Sequence, residues 1–344
     1  MAVSVRDIAT QCGVSPQSVS HALRGNGRIS SETRQRIKRT AVQMGYRPNS
    51  IARTMRSGRF NQVGVLGHAH AGQLHHDVIK GVCRELERHD LGVIVAEVER
   101  QTIGEPGKGP KLLRELSTDG LIVDYAYDLP REVTDAVESA GVPVVWVNTD
   151  SDHNTVVPDD VGAGRDATQI LLQAGHRRIA FVCGPNPDNH HSRRDRLAGY
   201  RRAMQGVAEP RHIEVPPLHW THLEGLIEFW LGVLSDSDRP EALLLDDLRV
   251  EPLVAAVAAI RLNRPGAPTV PTVTVGARGD TSHAATCVLA RFPVPSIDLG
   301  RAAARMLLCR IKSPHRPQPV VHVAFRPQLH PHQASPHLTR RTQT

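Results

Sequence analysis

Apolar residues recur at helical spacing three times within the first forty-five positions. Over VRDIATQ they place Val5, Ile8 and Ala9 on one face, and Gly13 then breaks the helix. Ser15 is a suitable N-cap and Pro16 suits a first helical position, so Gln17 to Leu23 reads as a second short helix with Val19, Ala22 and Leu23 facing inward. After the loop Arg24–Ile29, Ser30 offers a third cap, and Ile37, Ala41 and Met44 keep the helical period until Gly45. Three such helices make a minimal bundle. A fourth pattern, Ser50 to Arg56, sits between Pro48-Asn49 and Ser57-Gly58. One or two turns do not repay helix nucleation, so 46–60 is predicted to be a linker that orders only against a partner.

Beyond residue 60 the pattern changes to apolar runs alternating with amphipathic helices. NQVGVLGH, LGVIVAEV, GLIVDYA, VPVVWVN, RRIAFVCG, EALLLDD and TVTVGA read as strands. Between them lie helical patterns at Asp77–Arg88, Lys111–Ser117, Arg131–Ser139, Val161–Gln173, Arg194–Gln205, Leu223–Leu234 and Pro252–Arg261, with a last one at Ile297–Lys312. This alternation is the signature of parallel sheets wound with helices. About 280 residues exceed one core, so two α/β lobes are expected. The stretch after Phe325, rich in Pro, His and Gln, reads as disordered.

Charge divides the chain along the same line. The formal net charge is +7, but residues 1–60 alone hold eleven Lys/Arg against Asp7 and Glu32, a net +9. Residues 310–344 carry six basic groups and no acid, which leaves 61–309 at −8. A compact basic module on an acidic body suggests the electrostatic footprint of a protein that meets a polyanion, although charge alone is more often a solvated surface. With 40% hydrophobic residues and no apolar run near the roughly 20 residues that span a bilayer, no membrane partner is expected. The start, MAVSVRDIATQ, lacks the layout of a secretory signal, and the five cysteines are odd in number and widely spaced. Both suit a reducing cytoplasm, with a nucleoid-associated protein as the expectation.

The segment VRDIATQCGVSPQSVSHALRGNGRISSETRQRIKRTAVQMGYRPNSIARTMRSGR resembles the headpiece of the lactose-repressor (LacI/GalR) family throughout its length. GVPVVWVN, NTVVPDDVGAGRDATQILLQAGHRRIAFVCGP and RLAGYRRAM are similar to segments of the family's body. The resemblance implies a helix-turn-helix whose second helix enters the major groove. It implies base reading by Pro16, Gln17 and His21; Gln17 suits a bidentate pair with adenine, and His21 stands where the family often uses Arg at guanine. Ser4, Arg6, Ser15, Ser18, Ser20, Arg24, Arg28 and Tyr46 are implied phosphate contacts, and each is also an ordinary cap or surface residue. Asn49, Ala52, Arg53 and Met55 match the family's hinge helix, which wedges an apolar side chain into the minor groove. Met55 replaces the usual Leu, and packing within its own domain is the alternative. Dimerisation on a two-fold operator follows from the same resemblance. The helix Asp77–Arg88 is either a dimer face or a helix packed on its own sheet.

For the body, the resemblance implies two lobes closing on a small molecule. Arg196, before LAGY, and Asp246 occupy effector positions of the family, and His68, Asn148 and Trp220 are further cleft candidates, each with a core or surface alternative. Where an effector-binding Asp is usual, this chain has Gly276-Ala277-Arg278-Gly279. Arg278 only donates hydrogen bonds and favours carboxylate or phosphate, so a sugar phosphate or other anionic metabolite joins a neutral sugar as the expected effector. The nineteen histidines include four close pairs but no metal-site motif, so no metal is expected. Gly162-x-Gly164 lacks the rest of a dinucleotide fingerprint, and no nucleophile or P-loop motif occurs, so neither cofactor nor catalysis is expected.

The predicted fold class is therefore α/β: an N-terminal all-α helix-turn-helix headpiece plus a two-lobed, periplasmic-binding-protein-like body with parallel sheets. The expected domains are a headpiece at 1–46, a hinge at 47–60, a first lobe at 61–158 with 291–319, a second lobe at 159–290 with 320–330 and a tail at 331–344. The leading reading is a homodimeric repressor, binding a double-stranded, pseudo-palindromic DNA operator under control of a cleft effector. A solute-binding protein would need an export signal, and a sugar-acting α/β enzyme would need clustered carboxylates or a nucleophile.

Overall fold

The structure is a computed structural model, and it describes residues 3–46, 58–68, 72–98, 117–124, 131–139, 141–185, 190–220, 222–266, 269–276 and 287–330. The chain divides into two compact units, Met1–Phe60 and Asn61–Thr344. Most of the predicted hinge (47–57), most of the helix Lys111–Ser117 and the tail 331–344 lie outside the described residues.

In the first unit each helix begins and ends where the sequence supplies a reason. Helix α1 (Val5–Cys12) is capped by Ser4, whose hydroxyl accepts from the Asp7 amide while the Asp7 carboxylate takes the Ser4 amide in return. Gly13, at φ +63°, ends it in the left-handed region, where a side chain would be strained. Helix α2 (Pro16–Arg24) starts on Ser15 with Pro16 in its first turn and stops at Gly25, φ +77°. Helix α3 (Ser31–Gln43) starts on Ser30. Ile8, Ala9, Cys12, Val19, Ala22, Ile37 and Ala41 form the core. Four of the seven are alanine or cysteine, so the core is thin. At ~1.5–3 kcal/mol for each large aliphatic side chain and ~1 kcal/mol for each cap, the three serine caps rank with individual core residues.

Among the described residues the second unit contains two six-stranded sheets. The first has β1 (Gln62–His68), β2 (Gly92–Val98), β3 (Leu121–Asp124), β4 (Val144–Val147), β5 (Thr155–Pro158) and β11 (Val321–Val323), in the order β11-β5-β4-β3-β1-β2 and parallel throughout. The second has β6 (Ile179–Cys183), β7 (Arg211–Glu214), β8 (Ala242–Asp246), β9 (Thr272–Val275), β10 (Val288–Phe292) and β12 (Gln328–Leu329), in the order β12-β10-β9-β8-β6-β7, with β12 alone antiparallel. Val63, Val65, Ile122, Val145 and Val147 of the first sheet pack on Val78, Val82 and Leu86 of α4 (Gly72–Leu86) and on Leu299, Ala303 and Leu307 of α11 (Ser296–Lys312). Helix α5 (Arg131–Glu138) also belongs to this lobe. The second sheet is covered on one face by α6 (Asp160–Gln173) and α7 (His191–Met204), and on the other by α9 (Leu223–Ser235) and α10 (Glu251–Asn263). A short helix, α8 (Pro217–Trp220), precedes α9.

Glycines bring helix pairs into backbone contact. A side chain at Gly81 or Gly300 would strike the backbone of the partner helix in the α4–α11 pair, and one at Gly164 or Gly199 would do so in the α6–α7 pair. Gly164 of the Gly162-x-Gly164 motif is thus a packing residue.

Two assignments differ from the sequence pattern. The segment 320–330 was expected wholly in the second lobe. Instead Val321–Val323 extends the first sheet beside β5, with Val321 opposite Val156, and only Gln328–Leu329 joins the second. Likewise Arg291 and Phe292 stay in the second sheet, opposite Thr274 and Val275. Pairing, rather than hydrophobicity, fixes these short edge and crossover strands. The chain thus passes between lobes near 158–160, 292–296 and 323–328. Helix α4 begins earlier than expected and ends in a 3-10 turn, Glu87–His89. Its Val78, Val82 and Leu86 serve the core of their own lobe, while Cys83 is exposed.

Candidate functional sites

The headpiece surface is built by the start of α2. Ser15 caps the helix by accepting from the Ser18 amide at 3.1 Å, and its hydroxyl also meets the Ser18 hydroxyl at 2.9 Å. Pro16 and Gln17, in the first turn, are exposed, and Ser18 and Ser20 are half-buried. An open groove of about 540 Å³ runs past Arg6, Thr10, Gly13, Ser15 and Pro16. Ser4, Arg6 and Arg28 are exposed, and Tyr46 packs against the core. Arg24 is the last residue of α2, and its side chain lies outside what is described, as do Asn49, Ala52, Arg53 and Met55 entirely. His21 is half-buried, with Nδ1 3.1 Å from Asn26 Oδ1. Exposed polar side chains and helix-start amides on a basic bundle can meet both base edges and phosphates.

In the body, the candidate residues collect at the carboxyl ends of the parallel strands, where such sheets open a crevice. His68 ends β1, its side chain outside what is described, and Asn148 follows β4. Gly184 follows β6, Asp246 ends β8 and Gly276 follows β9. Asn148 adopts φ +58°, a conformation asparagine tolerates better than most residues, and its amide donates to the Val156 carbonyl at 2.9 Å. Its Oδ1 is buried and has no hydrogen-bond partner among the described residues.

Arg196 lies at the centre. It is 7% exposed, with Nε donating to Asp160 Oδ1 at 2.7 Å and one terminal nitrogen donating to Asp246 Oδ1 at 2.8 Å. Burial opposes its charge, but the two carboxylates prevail and hold the guanidinium protonated. Burial also raises Asp160, against the pull of Arg196. Arg193 takes the other Asp246 oxygen at 3.0 Å and donates to the Gly184 carbonyl. Two guanidinium groups thus face two carboxylates in a charge-balanced network. The Trp220 ring, 39% exposed, covers Gly184, where a side chain would collide with it. Arg278 lies outside the described residues.

Three of these participants escape a reading of the sequence alone: Asp160, Arg193 and His190. The first has a local signal, because Asp159 caps α6 through the Gly162 amide, leaving the adjacent carboxylate for another partner. Arg193 is one arginine in an arginine-rich helix and has none. His190 caps α7 by accepting from the Ser192 amide at 3.2 Å, and it lies close to the Asn148 backbone of the first lobe. Arg194 reaches Asp150 across the same gap at 3.2 Å. His190 stacks on His191, with centroids 4.4 Å apart. Burial first, then His191 and Arg196, lowers its pKa to about 4. Among the described residues no group of three His, Cys, Asp or Glu side chains is arranged to hold a metal ion, and no helix is long and apolar enough to cross a membrane.

Comparison with known proteins agrees with this geometry along nearly the whole chain. Residues 4–49 match the profile of "Bacterial regulatory proteins, lacI family". Residues 62–224 match "Periplasmic binding proteins and sugar binding domain of LacI family", and 168–332 match a periplasmic binding protein-like domain. The chain belongs to the LacI family. Among curated relatives of the family, the HTH-type transcriptional regulator RegA of Clostridium saccharobutylicum is 28% identical over 59% of this chain and 61% of its own length. The chain thus spans less than two thirds of that relative. The ribose operon repressor of Haemophilus influenzae is 26% identical over 91% of this chain and 93% of the repressor. The fold matches that of the lac repressor bound to ONPG, with a TM-score of 0.70 at 21% identity, covering 95% of this chain and 98% of that one. The lac repressor dimer bound to operator and the anti-inducer ONPF also scores 0.70, at 19% identity over 96% of this chain and 99% of that one. The α/β class, with a helical headpiece and parallel-sheet lobes, is thus the family's own.

Proposed function

We propose that this protein is a cytoplasmic transcriptional repressor that binds a pseudo-palindromic operator as a homodimer and is controlled by a small molecule in the cleft between its lobes. One observation carries the reading. The first turn of α2 presents Ser15, Pro16 and Gln17 to solvent on a segment of net charge +9. That combination suits a recognition helix: charge supplies affinity for phosphates and the exposed turn supplies base contacts. Pro16, Gln17 and His21 read bases; Ser4, Arg6, Ser15, Ser18, Ser20, Arg24, Arg28 and Tyr46 set the register on the backbone; Asn49, Ala52, Arg53 and Met55 occupy the minor groove between half-sites. The domain limits expected from the sequence are kept, except that Val321–Val323 is assigned to the first lobe and Arg291–Phe292 to the second.

The effector is a sugar, a sugar phosphate or another anionic metabolite, held by Arg196, Asp246, Asn148, Trp220, His68 and Arg278. Asp160 and Asp246 already balance Arg193 and Arg196, so a preference for anions rests on Arg278. Titration calorimetry with neutral and phosphorylated monosaccharides separates these classes, and tight binding of a neutral sugar alone counts against the anionic one. Control requires unequal effector affinity for two arrangements of the lobes. Selection from a random DNA pool with the full chain tests the whole proposal, the expected product being a partly palindromic consensus. Deleting residues 1–60 abolishes that selection and leaves effector binding intact. A folded chain that enriches no sequence at any salt concentration overturns the reading.

A further inference from the structure

The loop that follows α2 is fastened from two sides onto the one histidine of that helix. Arg34, on α3, donates one terminal nitrogen to the Asn26 carbonyl at 3.3 Å and the other to the Gly27 carbonyl at 3.2 Å. The Asn26 amide closes the helix end on the His21 carbonyl at 3.1 Å. Gly27 sits at φ +81° with its Cα against the imidazole, and a side chain there would lie 2.9 Å from both Cβ and Cγ of His21. So held, the Asn26 side chain places Oδ1 3.1 Å from His21 Nδ1. Arg34, whose charge alone would mark it as one more phosphate contact, is committed to two loop carbonyls.

This arrangement decides what the ring can do. An amide oxygen only accepts, so the neutral imidazole must carry its proton on Nδ1, and Nε2 is left as a bare lone pair. Nε2 makes no hydrogen bond among the described residues. In the major groove guanine and thymine offer acceptors at O6, N7 and O4, whereas cytosine offers the N4 amino donor and adenine the N6 amino donor. A lone pair finds a partner only on the second set.

We propose that Asn26 is a positioning residue which fixes the Nδ1–H form of His21 and so makes this position read an exocyclic amino group, on adenine or cytosine, instead of the guanine acceptors an arginine there would read. The inference rests on His21 being a base-reading residue, as proposed above. Gly27 and Arg34 are its supports: the glycine lets the loop approach the ring, and the arginine keeps it there.

The test uses the full chain and its selected operator. His21→Ala first identifies the base pair that His21 reads, as the one whose preference flattens. Within that pair, synthetic duplexes remove either the amino group (purine for adenine, 2-pyrimidinone for cytosine) or the opposing keto oxygen (2-aminopurine for guanine, 5-methyl-2-pyrimidinone for thymine). The unaltered chain should lose about five- to tenfold in affinity without the amino group and change little without the keto oxygen, the scale of one hydrogen bond to a base edge. Asn26→Ala should abolish that sensitivity or transfer it to the keto oxygen. Sensitivity to the keto oxygen in the unaltered chain overturns the inference while leaving His21 a base reader, as does an Asn26→Ala chain with unchanged sensitivity. If His21→Ala flattens no base pair, base reading by His21 fails and the inference falls with it.

Discussion

The arginines of the headpiece and those of the cleft are the same residue set to opposite uses. In the headpiece Arg6 and Arg28 are exposed, on a segment whose positive charge has little acid to balance it. In the cleft Arg196 is buried between Asp160 and Asp246, and Arg193 shares the second carboxylate. A charge kept in water can be offered to a distant polyanion and is screened by salt. A charge removed from water must be satisfied within the fold, and what it gains is a fixed direction for each donor. Counting arginines says where charge is, while burial says what it is for.

The largest effect comes from breaking the buried side. Arg196→Met leaves two carboxylates in the interior and should lower stability by about 3–5 kcal/mol, read from urea unfolding. Adding Asp160→Asn and Asp246→Asn should recover much of the loss, and a mild effect of the single change would mean that the carboxylates find other partners. Next is acid sensitivity. The folded-state pKa of His190, about 4, lies below its ordinary 6.5, so its contribution is complete above about pH 6.5 and lost as pH falls toward 4. His190→Gln should flatten the fall in stability over that range by about 2–3 kcal/mol. On the exposed side, Gln17→Ala should cost about 1–3 kcal/mol of operator binding and relax preference at one base pair, whereas uniform weakening over all sequences would make it a backbone contact. Ser15→Ala removes a cap worth about 1 kcal/mol, so hydrogen exchange of the α2 amides should quicken about fivefold. Smallest is Arg28→Ala: the slope of log K against log salt should fall by about 0.9, with the ranking of operators unchanged.

What the sequence revealed follows from how local each cause is. The headpiece was legible almost to the residue because its limits are set by neighbours: Ser4, Ser15 and Ser30 start its helices, and Gly13 and Gly25 end two of them. Buried strands such as Ala242–Asp246, apolar at four of five positions, announced themselves as well. The strand Arg211–Glu214 alternates half-buried and exposed residues at a sheet edge, and Val321–Val323 is defined only by pairing with a segment more than 150 residues away, so neither carries a local signature. The charge network at the strand ends was half legible. Arg196 and Asp246 were visible through family resemblance, but Asp160 and Arg193 owe their roles to two strands and two helices meeting in space. The brace on His21 was hidden for a related reason: five residues separate ring and amide, and only the left-handed turns at Gly25 and Gly27 bring them together.

The glycine contacts between helices limit how the body can deform. Where Gly81 meets α11 and Gly199 meets α6, backbone rests on backbone with no side chain between to shift and absorb a displacement. These pairs therefore resist sliding within each lobe, and any rearrangement between lobes would concentrate in the short stretches of chain that connect them among the described residues. A bulky replacement at any of the four glycines would pry a helix from its neighbour, so softening would spread through one lobe while the connecting stretches kept their own chemistry.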